Sequence, residues 1–219
     1  MPSLYRKPCA DTMREDGNSG YQKNGNDNKY ARRLDECDFF TGCGKKNNTG
    51  IDHCAIAYCY WLFVNVIGDN LDDNDRKYMV HYAMYQSDIC CTSAGCEQQV
   101  QAYKDGGAWY TDPKDLCIGA QIFFQKYDSD KGRMVYYHTG GCYDWDDNFV
   151  YVTEANVNGG RTENRKYSYS EFGHKIAGFG IPRFDGYNLE DSRPSEEYKN
   201  VNAQVYYKDG IAKKIIIDL

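Results

Sequence analysis

The chain has 219 residues, a hydrophobic content of 41% and a formal net charge of −6. This length fits one domain, or one domain with a short appendage, and it allows the chain to bury a sizeable core. The negative charge argues against a nucleic-acid or anionic-membrane partner, because both need a basic surface. The longest apolar run, residues 55–67, is interrupted by Asn65 and is too short to cross a bilayer.

The N-terminus and the cysteines bear on the compartment in which the protein folds. The first residues contain one basic pair, Arg6 and Lys7, with no apolar stretch behind it, so we expect no ordinary signal peptide. The ten cysteines would indicate a disulfide framework in an exported protein. Without an export signal we expect mostly reduced thiols, because the cytosol keeps them reduced.

The first half of the chain is predicted to be helical after a polar start. Residues 1–50 are rich in Asn, Gly and charge, which predicts loop with one short helix over residues 30–35. Residues 51–67 are apolar on nearly every side, which indicates a buried helix. Two further helices are predicted over residues 73–85 and 97–104.

From Cys117 onward the pattern is typical of β-structure. Apolar and aromatic runs alternate with Asp, Gly and Asn turns, which predicts strands over residues 122–125, 134–139, 149–154, 166–169 and 176–180. Helices followed by antiparallel strands indicate an α+β fold. The tail from residue 185 starts polar and ends in a predicted hairpin around Lys208-Asp-Gly.

Cys54 is the best candidate for a nucleophile among the cysteines. It lies at the predicted start of the apolar helix, where unpaired N–H groups and partial positive charge favour a thiolate. Cys59 is the alternative, but inside the helix its thiol would lose those N–H groups. Read alone, Cys54 also fits a buried structural cysteine.

A hairpin in the second half offers a base for this thiol. If Tyr143 faces Phe149, His138 lies opposite Glu154, and Asn156 shares their face. A carboxylate beside an imidazole fixes its tautomer and stabilises the imidazolium. Asn156 would orient the ring further or bind a substrate carbonyl. Together with the cysteine, these residues are the parts of a papain-like site.

Five short motifs occur in order between residues 18 and 184. They are His53-Cys54-Ala55, Gly119-Ala-Gln-Ile-Phe-Phe124, His138-Thr-Gly140, Thr153-Glu-Ala-Asn156 and Ile176-Ala-Gly-Phe-Gly-Ile-Pro182. In these motifs the chain resembles CHAP domains, the cysteine- and histidine-dependent amidohydrolases/peptidases of phage endolysins and bacterial wall hydrolases. The sequence departs from the family pattern at His53, Ala120 and Ala155, where relatives carry Trp, Asp and Gly.

The resemblance implies an α+β, papain-like (NlpC-type) fold with N-terminal helices packed on an antiparallel sheet. It implies an N-terminal extension over residues 1–17, a catalytic domain over residues 18–184 and a short appendage over residues 185–219. It also implies a peptidoglycan hydrolase, either an N-acetylmuramoyl-L-alanine amidase or a stem or cross-bridge endopeptidase. In such an enzyme Cys54 forms a thioester, His138 is the base, and Glu154 and Asn156 hold the imidazole.

The resemblance extends to ligands and partners. Tyr21 and Tyr136 are candidates for substrate binding. We expect no cofactor, with calcium at residues 24–28 as the alternative, since oxygen ligands cluster there. The expected partners are peptidoglycan and phage tail or virion proteins. The expected location is the host cytoplasm until lysis, or the virion.

Two other functions fit the same residues. The first is a catalytically inactive or structural virion protein that keeps the fold, which the departures at positions 53, 120 and 155 favour. The second is a cysteine hydrolase that acts on a protein or toxin target.

Overall fold

The structure is a computed structural model that describes residues 2–25, 27–40, 52–86 and 95–185, together with the backbone of residues 202–208 and 211–218. Helices fill the first half of the described chain. They are α1 (Arg6–Ser19), α2 (Lys29–Asp35), α3 (Cys54–Val64), α4 (Asp73–Ala83) and α5 (Cys96–Asp105). None of these helices is both long and apolar enough to span a membrane.

All the strands pair in antiparallel fashion, and most of them lie in the second half of the chain. The strands are β1 (Ser3–Leu4), β2 (Val66–Ile67), β3 (Trp109–Tyr110), β4 (Gln121–Asp128), β5 (Arg133–Trp145), β6 (Phe149–Val157), β7 (Arg161–Ser168), β8 (Ile176–Gly180), β9 (Asn202–Lys208) and β10 (Ile211–Asp218). Six of them form one sheet in the order β3-β8-β4-β5-β6-β7. Two short pairs, β1 with β2 and β9 with β10, stand outside it. The predicted α+β class is therefore confirmed.

The sheet has an apolar cluster on each face. Phe123 of β4 packs with the helices, whereas its neighbours Ile122 and Phe124 belong to a second cluster built from strand residues. This split follows from the alternation of side chains along a strand. α3 lies at the centre of the helical layer and is buried on nearly every side, as its continuous apolar run predicts. Strand β2 follows α3, and its second residue, Ile67, is exposed.

α1 is the main difference from the sequence prediction, which expected loop before residue 30. Its buried face carries only Cys9, Ala10 and Met13 as apolar side chains, so the helical period is faint. Met13 packs against Gly141 of β5, where a Cβ atom would lie 2.3 Å from its sulfur. The predicted boundary at residue 17 falls inside α1, and this helix packs on α3 and on β5 to β7.

The two ends of the described body are joined by hydrogen bonds. The Leu4 N–H donates to the Asp185 carboxylate at 3.0 Å, and the Asp185 N–H donates to the Leu4 carbonyl at 2.8 Å. The terminal hairpin predicted from the Lys208-Asp-Gly turn is present as the β9–β10 pair. No disulfide joins any two of the seven cysteines in the described ranges; Cys43, Cys90 and Cys91 lie outside them.

Candidate active site

Cys54 is the first residue of α3, and only 5% of it is exposed. The first backbone hydrogen bond of the helix runs from the Ala57 N–H to the His53 carbonyl at 2.8 Å. The N–H groups before Ala57 therefore have no partner within the helix, and they point out of its positive end. This placement favours negative charge on the Cys54 sulfur and on any oxyanion that forms beside it.

Two neighbouring side chains adjust the acidity of this thiol. The Sγ atoms of Cys54 and Cys96 lie 3.9 Å apart, within hydrogen-bonding distance for sulfur. The hydrogen bond with Cys96 and the contacts with His138 outweigh burial, and they lower the pKa of Cys54 well below its ordinary value. A backbone hydrogen bond from Thr139 acts in the same direction. The site therefore stabilises a thiolate.

Cys59, the rival nucleophile, lies in a different environment. It is fully buried in the interior of α3, and its Sγ accepts a hydrogen bond from the Gln99 amide at 3.4 Å. Burial raises the pKa of its thiol far above the ordinary value. A neutral, inaccessible thiol is a poor nucleophile, so the geometry favours Cys54.

His138 is placed by an irregularity in β5. Phe124 pairs with His138 and Gln125 pairs with Tyr136, so Tyr137 is an extra residue in the ladder. The bulge brings Tyr137 and His138 to one side, and the imidazole lies between the Phe124 ring at 5.5 Å and the Tyr137 ring at 6.1 Å. Bulges commonly re-aim a side chain in this way.

The imidazole has two hydrogen-bond partners. Nε2 donates to Glu154 Oε2 at 2.7 Å, and the ring is also hydrogen-bonded to the Cys54 thiol. Burial lowers the pKa of His138, but the hydrogen bonds to Cys54 and Glu154 outweigh it and raise the pKa to about 9. A low thiol pKa beside a high imidazole pKa favours the thiolate–imidazolium pair.

The register between β5 and β6 differs from the predicted one by two residues. Gly140, and not His138, lies opposite Glu154. The turn is tighter than expected, with the Asp146 N–H donating to the Phe149 carbonyl at 2.9 Å, and Tyr143 is an extra residue in β5. Between Gly140 and Cys142 this even shift keeps the side chains on their predicted faces, so the diagonal His138–Glu154 pair still forms.

Gly140 makes this diagonal contact possible. A Cβ atom at this position would lie 2.6 Å from the Thr153 carbonyl oxygen and 3.0 Å from Glu154 Cγ. Real Cβ atoms do not approach this closely, because such contacts are strongly repulsive. Glycine therefore leaves room for the Glu154 side chain to reach across the strand pair to the imidazole.

Tyr167 of β7 is a member of the site that sequence reasoning missed. Its hydroxyl donates to Glu154 Oε1, so both carboxylate oxygens of the buried Glu154 are engaged. The predicted strand over residues 166–169 included it, but nothing distinguished it from the other 20 tyrosines of the chain. Two strong donors fix the orientation of this carboxylate.

Asn156 does not hold the imidazole in the way the sequence predicted. A second bulge, between Ala155 and Val157, makes it the extra residue of β6, with a positive φ of 63°. Its amide donates to Asp52 Oδ1 at 2.8 Å. This correction changes its role: Asn156 ties β6 to the segment that leads into α3.

The two tyrosines proposed for substrate binding have their hydroxyl groups hydrogen-bonded to lysine residues. The Tyr21 hydroxyl accepts a hydrogen bond from the Lys29 N–H at 2.8 Å, and its ring packs edge-on against Tyr30 at 5.5 Å. The Tyr136 hydroxyl accepts from Lys104 Nζ at 3.0 Å on the helical side of the sheet. Neither lines the pocket beside His138.

A pocket of about 270 Å³ opens beside the imidazole and carboxylate of the candidate site. His138 and Glu154 form part of its wall, together with Asn156. Two cationic side chains, Arg165 and Lys175, complete the polar part of the wall.

In the segment considered for calcium, the described residues make hydrogen bonds within the protein. Asn24 and Asp27 exchange backbone hydrogen bonds at 3.1 and 2.9 Å, and the Asp27 carboxylate accepts from Arg32. Across the described residues, no group of three or more His, Cys, Asp or Glu side chains is arranged to hold a metal ion.

Comparisons with protein-family models, with curated proteins and with solved structures gave no match to this chain. The site is therefore interpreted on its own geometry.

Proposed function

We propose that this chain is a cysteine hydrolase with a papain-like fold that cleaves amide bonds in bacterial peptidoglycan. One observation carries the proposal. The thiol of Cys54, at a helix N-terminus, meets an imidazole whose other nitrogen is held by the buried Glu154. Nucleophile, base and orienting acid in that order are the requirements for acyl transfer through a thioester.

In the first half-reaction the Cys54 thiolate attacks the carbonyl carbon of the amide. Negative charge moves to the carbonyl oxygen, where the unpaired N–H groups at the start of α3 stabilise it. The His138 imidazolium then donates its proton to the leaving nitrogen, the C–N bond breaks, and a thioester to Cys54 remains. Glu154 keeps the ring oriented and stabilises its positive charge before that transfer.

In the second half-reaction water replaces the amine. His138, now neutral, takes a proton from water as the oxygen attacks the thioester carbonyl. The C–S bond breaks, the carboxylic acid leaves, and the thiolate–imidazolium pair is restored. The same residues therefore act in both halves, with the imidazole switching from acid to base.

The choice of peptidoglycan rests on the resemblance to CHAP domains. Three of the CHAP-like motifs lie in the elements that build the site. The motif around Cys54 lies at the start of α3, the His-Thr-Gly motif lies in β5 and the motif around Glu154 lies in β6. We infer from this resemblance a phage or prophage lysin that acts at the bacterial wall. The bond cut is the muramoyl–L-alanine amide or a peptide bond of the stem or cross-bridge.

The test is digestion of purified sacculi from several Gram-positive species, with mass analysis of the released fragments. Wild type should create new amino and carboxyl termini, and Cys54→Ala should create none while keeping its circular dichroism spectrum. Cys59→Ala tests the rival thiol, and Cys37→Ala is a control at a half-buried cysteine outside the site. Both controls should cleave.

Cleavage by Cys54→Ala at the wild-type rate would remove Cys54 from the mechanism. Absence of cleavage by folded wild type on every wall would favour the structural virion protein, or a hydrolase that acts on another amide. A general thioester-forming probe distinguishes these two, since only the hydrolase would be acylated at Cys54.

A further inference from the structure

Two cationic side chains line the pocket beside His138. Arg165 and Lys175 lie in its wall, in a chain whose net charge is −6. Each has an acidic neighbour, Glu163 at 3.0 Å and Glu171 at 3.8 Å. An anion in the pocket would share these cations with the two glutamates.

The two cations lie near the residues that orient His138. Lys175 Nζ lies 4.5 Å from the centroid of the Tyr167 ring, and the Tyr167 hydroxyl is bound to Glu154. Arg165 lies on β7 two residues before Tyr167, and only 34% of its side chain is exposed. A group bound between them therefore lies next to the reacting imidazole.

The size of the pocket limits what it can take. At about 270 Å³ it is smaller than the roughly 300–1,000 Å³ of sites for drug-sized ligands. This volume accommodates one amino-acid-sized group of a substrate but no disaccharide. The aromatic rings of Phe124, Tyr137 and Tyr167 line the pocket, and they would contact the aliphatic carbons of such a group.

We propose that this pocket is a subsite for a carboxylate carried by the stem peptide, held by Arg165 and Lys175 beside the His138 imidazole. The inference rests on the proposed peptidoglycan activity and deepens it. Guanidinium groups bind carboxylates through paired N–H donors, and a lysine ammonium adds a point charge. A test peptide can carry this group either as a free carboxylate or as a primary amide.

The experiment compares two synthetic muropeptides that differ only in that group, free carboxylate against primary amide. Wild type should cleave the carboxylate form with a kcat/KM at least about tenfold higher, as expected for one charge-assisted hydrogen bond. Arg165→Gln and Lys175→Gln should each reduce this preference, mainly by raising KM for the carboxylate form. Lys166→Gln, which removes an exposed cation of the same strand outside the pocket, should keep it.

The outcomes separate the two proposals. Equal cleavage of both muropeptides by wild type would overturn the subsite and leave the hydrolase in place. A preference that persists in both pocket variants would also overturn it. Cleavage of neither muropeptide, together with intact sacculi, would refute the hydrolase and the subsite with it.

The contact between Cys54 and Cys96 carries a second inference. Each thiol begins a helix, α3 and α5, and the two sulfurs lie 3.9 Å apart. A disulfide needs about 2.05 Å, so an approach of about 2 Å would join them. We also infer that Cys96 is the resolving cysteine of a reversible oxidative lock on the nucleophile, with a peroxide as oxidant.

The chemistry balances in two steps. The Cys54 thiolate attacks hydrogen peroxide, the O–O bond breaks, and a sulfenic acid and hydroxide form. The Cys96 thiol then attacks the sulfenic sulfur, the S–S bond forms, and water leaves. Two electrons pass from the sulfurs to the peroxide, and a dithiol reductant reverses the lock.

Peptide mapping after peroxide treatment tests the lock without any substrate. The expected product is a Cys54–Cys96 disulfide in wild type and none in Cys96→Ser. Dithiothreitol should then restore the reactivity of the wild-type Cys54 thiol toward iodoacetamide. In Cys96→Ser, peroxide should instead drive Cys54 to sulfinic acid, which dithiothreitol does not reverse. Oxidation of wild type straight to sulfinic acid, or a disulfide of Cys54 with another cysteine, would overturn the inference.

Discussion

His138 and Glu154 are diagonal neighbours across the β5–β6 strand pair, and their side chains meet at 2.7 Å between Nε2 and Oε2. The residue directly opposite Glu154 is Gly140, which has no side chain to block the diagonal path. The long glutamate side chain spans this separation, as long side chains do across diagonal positions. The catalytic geometry therefore depends on a glycine as much as on the two functional groups.

The first prediction concerns the charge of Glu154. Glu154→Gln keeps the shape but removes the negative charge that stabilises the imidazolium, so kcat/KM should fall by about 10²–10⁴-fold. Steady-state hydrolysis of a soluble muropeptide measures the loss. Glu36→Gln, at an exposed carboxylate outside the site, should keep wild-type activity. A Glu154→Gln variant within twofold of wild type would show that the carboxylate does not act through His138.

The second prediction concerns pH. The active thiolate–imidazolium pair exists above the lowered pKa of Cys54 and below the raised pKa of His138, about 9. Above pH 9 the imidazolium loses the proton that the leaving amine needs, so kcat/KM should fall with an alkaline limb near 9. In Glu154→Gln the limb should move to lower pH, because the anionic partner of the imidazolium is gone. If the alkaline limb stays near pH 9 in this variant, the limb reports the titration of another group.

The third prediction concerns Tyr167. Tyr167→Phe removes the donor to Glu154 Oε1 and leaves the ring in place. Glu154 should then be less well oriented, and we expect about a 3–30-fold loss of kcat/KM, smaller than for Glu154→Gln. Tyr169→Phe, which removes the hydroxyl that donates to the Asp146 carbonyl beyond the site, is the matched control. Equal losses in the two variants would indicate a general packing effect.

The fourth prediction concerns Gly140. Gly140→Ala would push a methyl group toward the Thr153 carbonyl and Glu154 Cγ. Strand β6 must shift, at a cost of about 1–3 kcal/mol in the free energy of unfolding. Urea unfolding measures that cost, and the His138–Glu154 contact should loosen, so activity should fall in the fraction that stays folded. A variant with wild-type stability and activity would show that the strands move apart freely.

The sequence predicted which side chains form the candidate site better than it predicted the strand pairing that places them. Cys54 follows from helix placement, and the shared face of His138 and Glu154 survives because the register error is even. Bulges at Tyr137 and Asn156 leave no sequence signature here, since they depend on how neighbouring strands pair. They are why Asn156 binds Asp52 instead of assisting His138. The periodicity of α1 was hidden for a different reason, because its buried face has few apolar side chains.

The last prediction concerns His53, the residue before Cys54. Its ring is fully buried, stacks on Tyr30 at 5.8 Å, and neither nitrogen has a hydrogen-bond partner among the described residues. Leaving such groups unpaired costs about 1–3 kcal/mol, so His53→Phe should raise the free energy of unfolding at pH 7.

The gain from His53→Phe should also increase as the solution becomes more acidic. Burial lowers the pKa of His53 to about 4, whereas the unfolded chain binds that proton near 6.5. The unfolded state therefore binds more protons between these values, and wild type loses up to about 3 kcal/mol of stability as pH falls from 6.5 to 4. Urea unfolding at pH 7 and pH 5 should show a larger advantage for His53→Phe at pH 5. His174→Gln, at an exposed imidazole, is the control, and an equal change in both variants would contradict the assignment to His53.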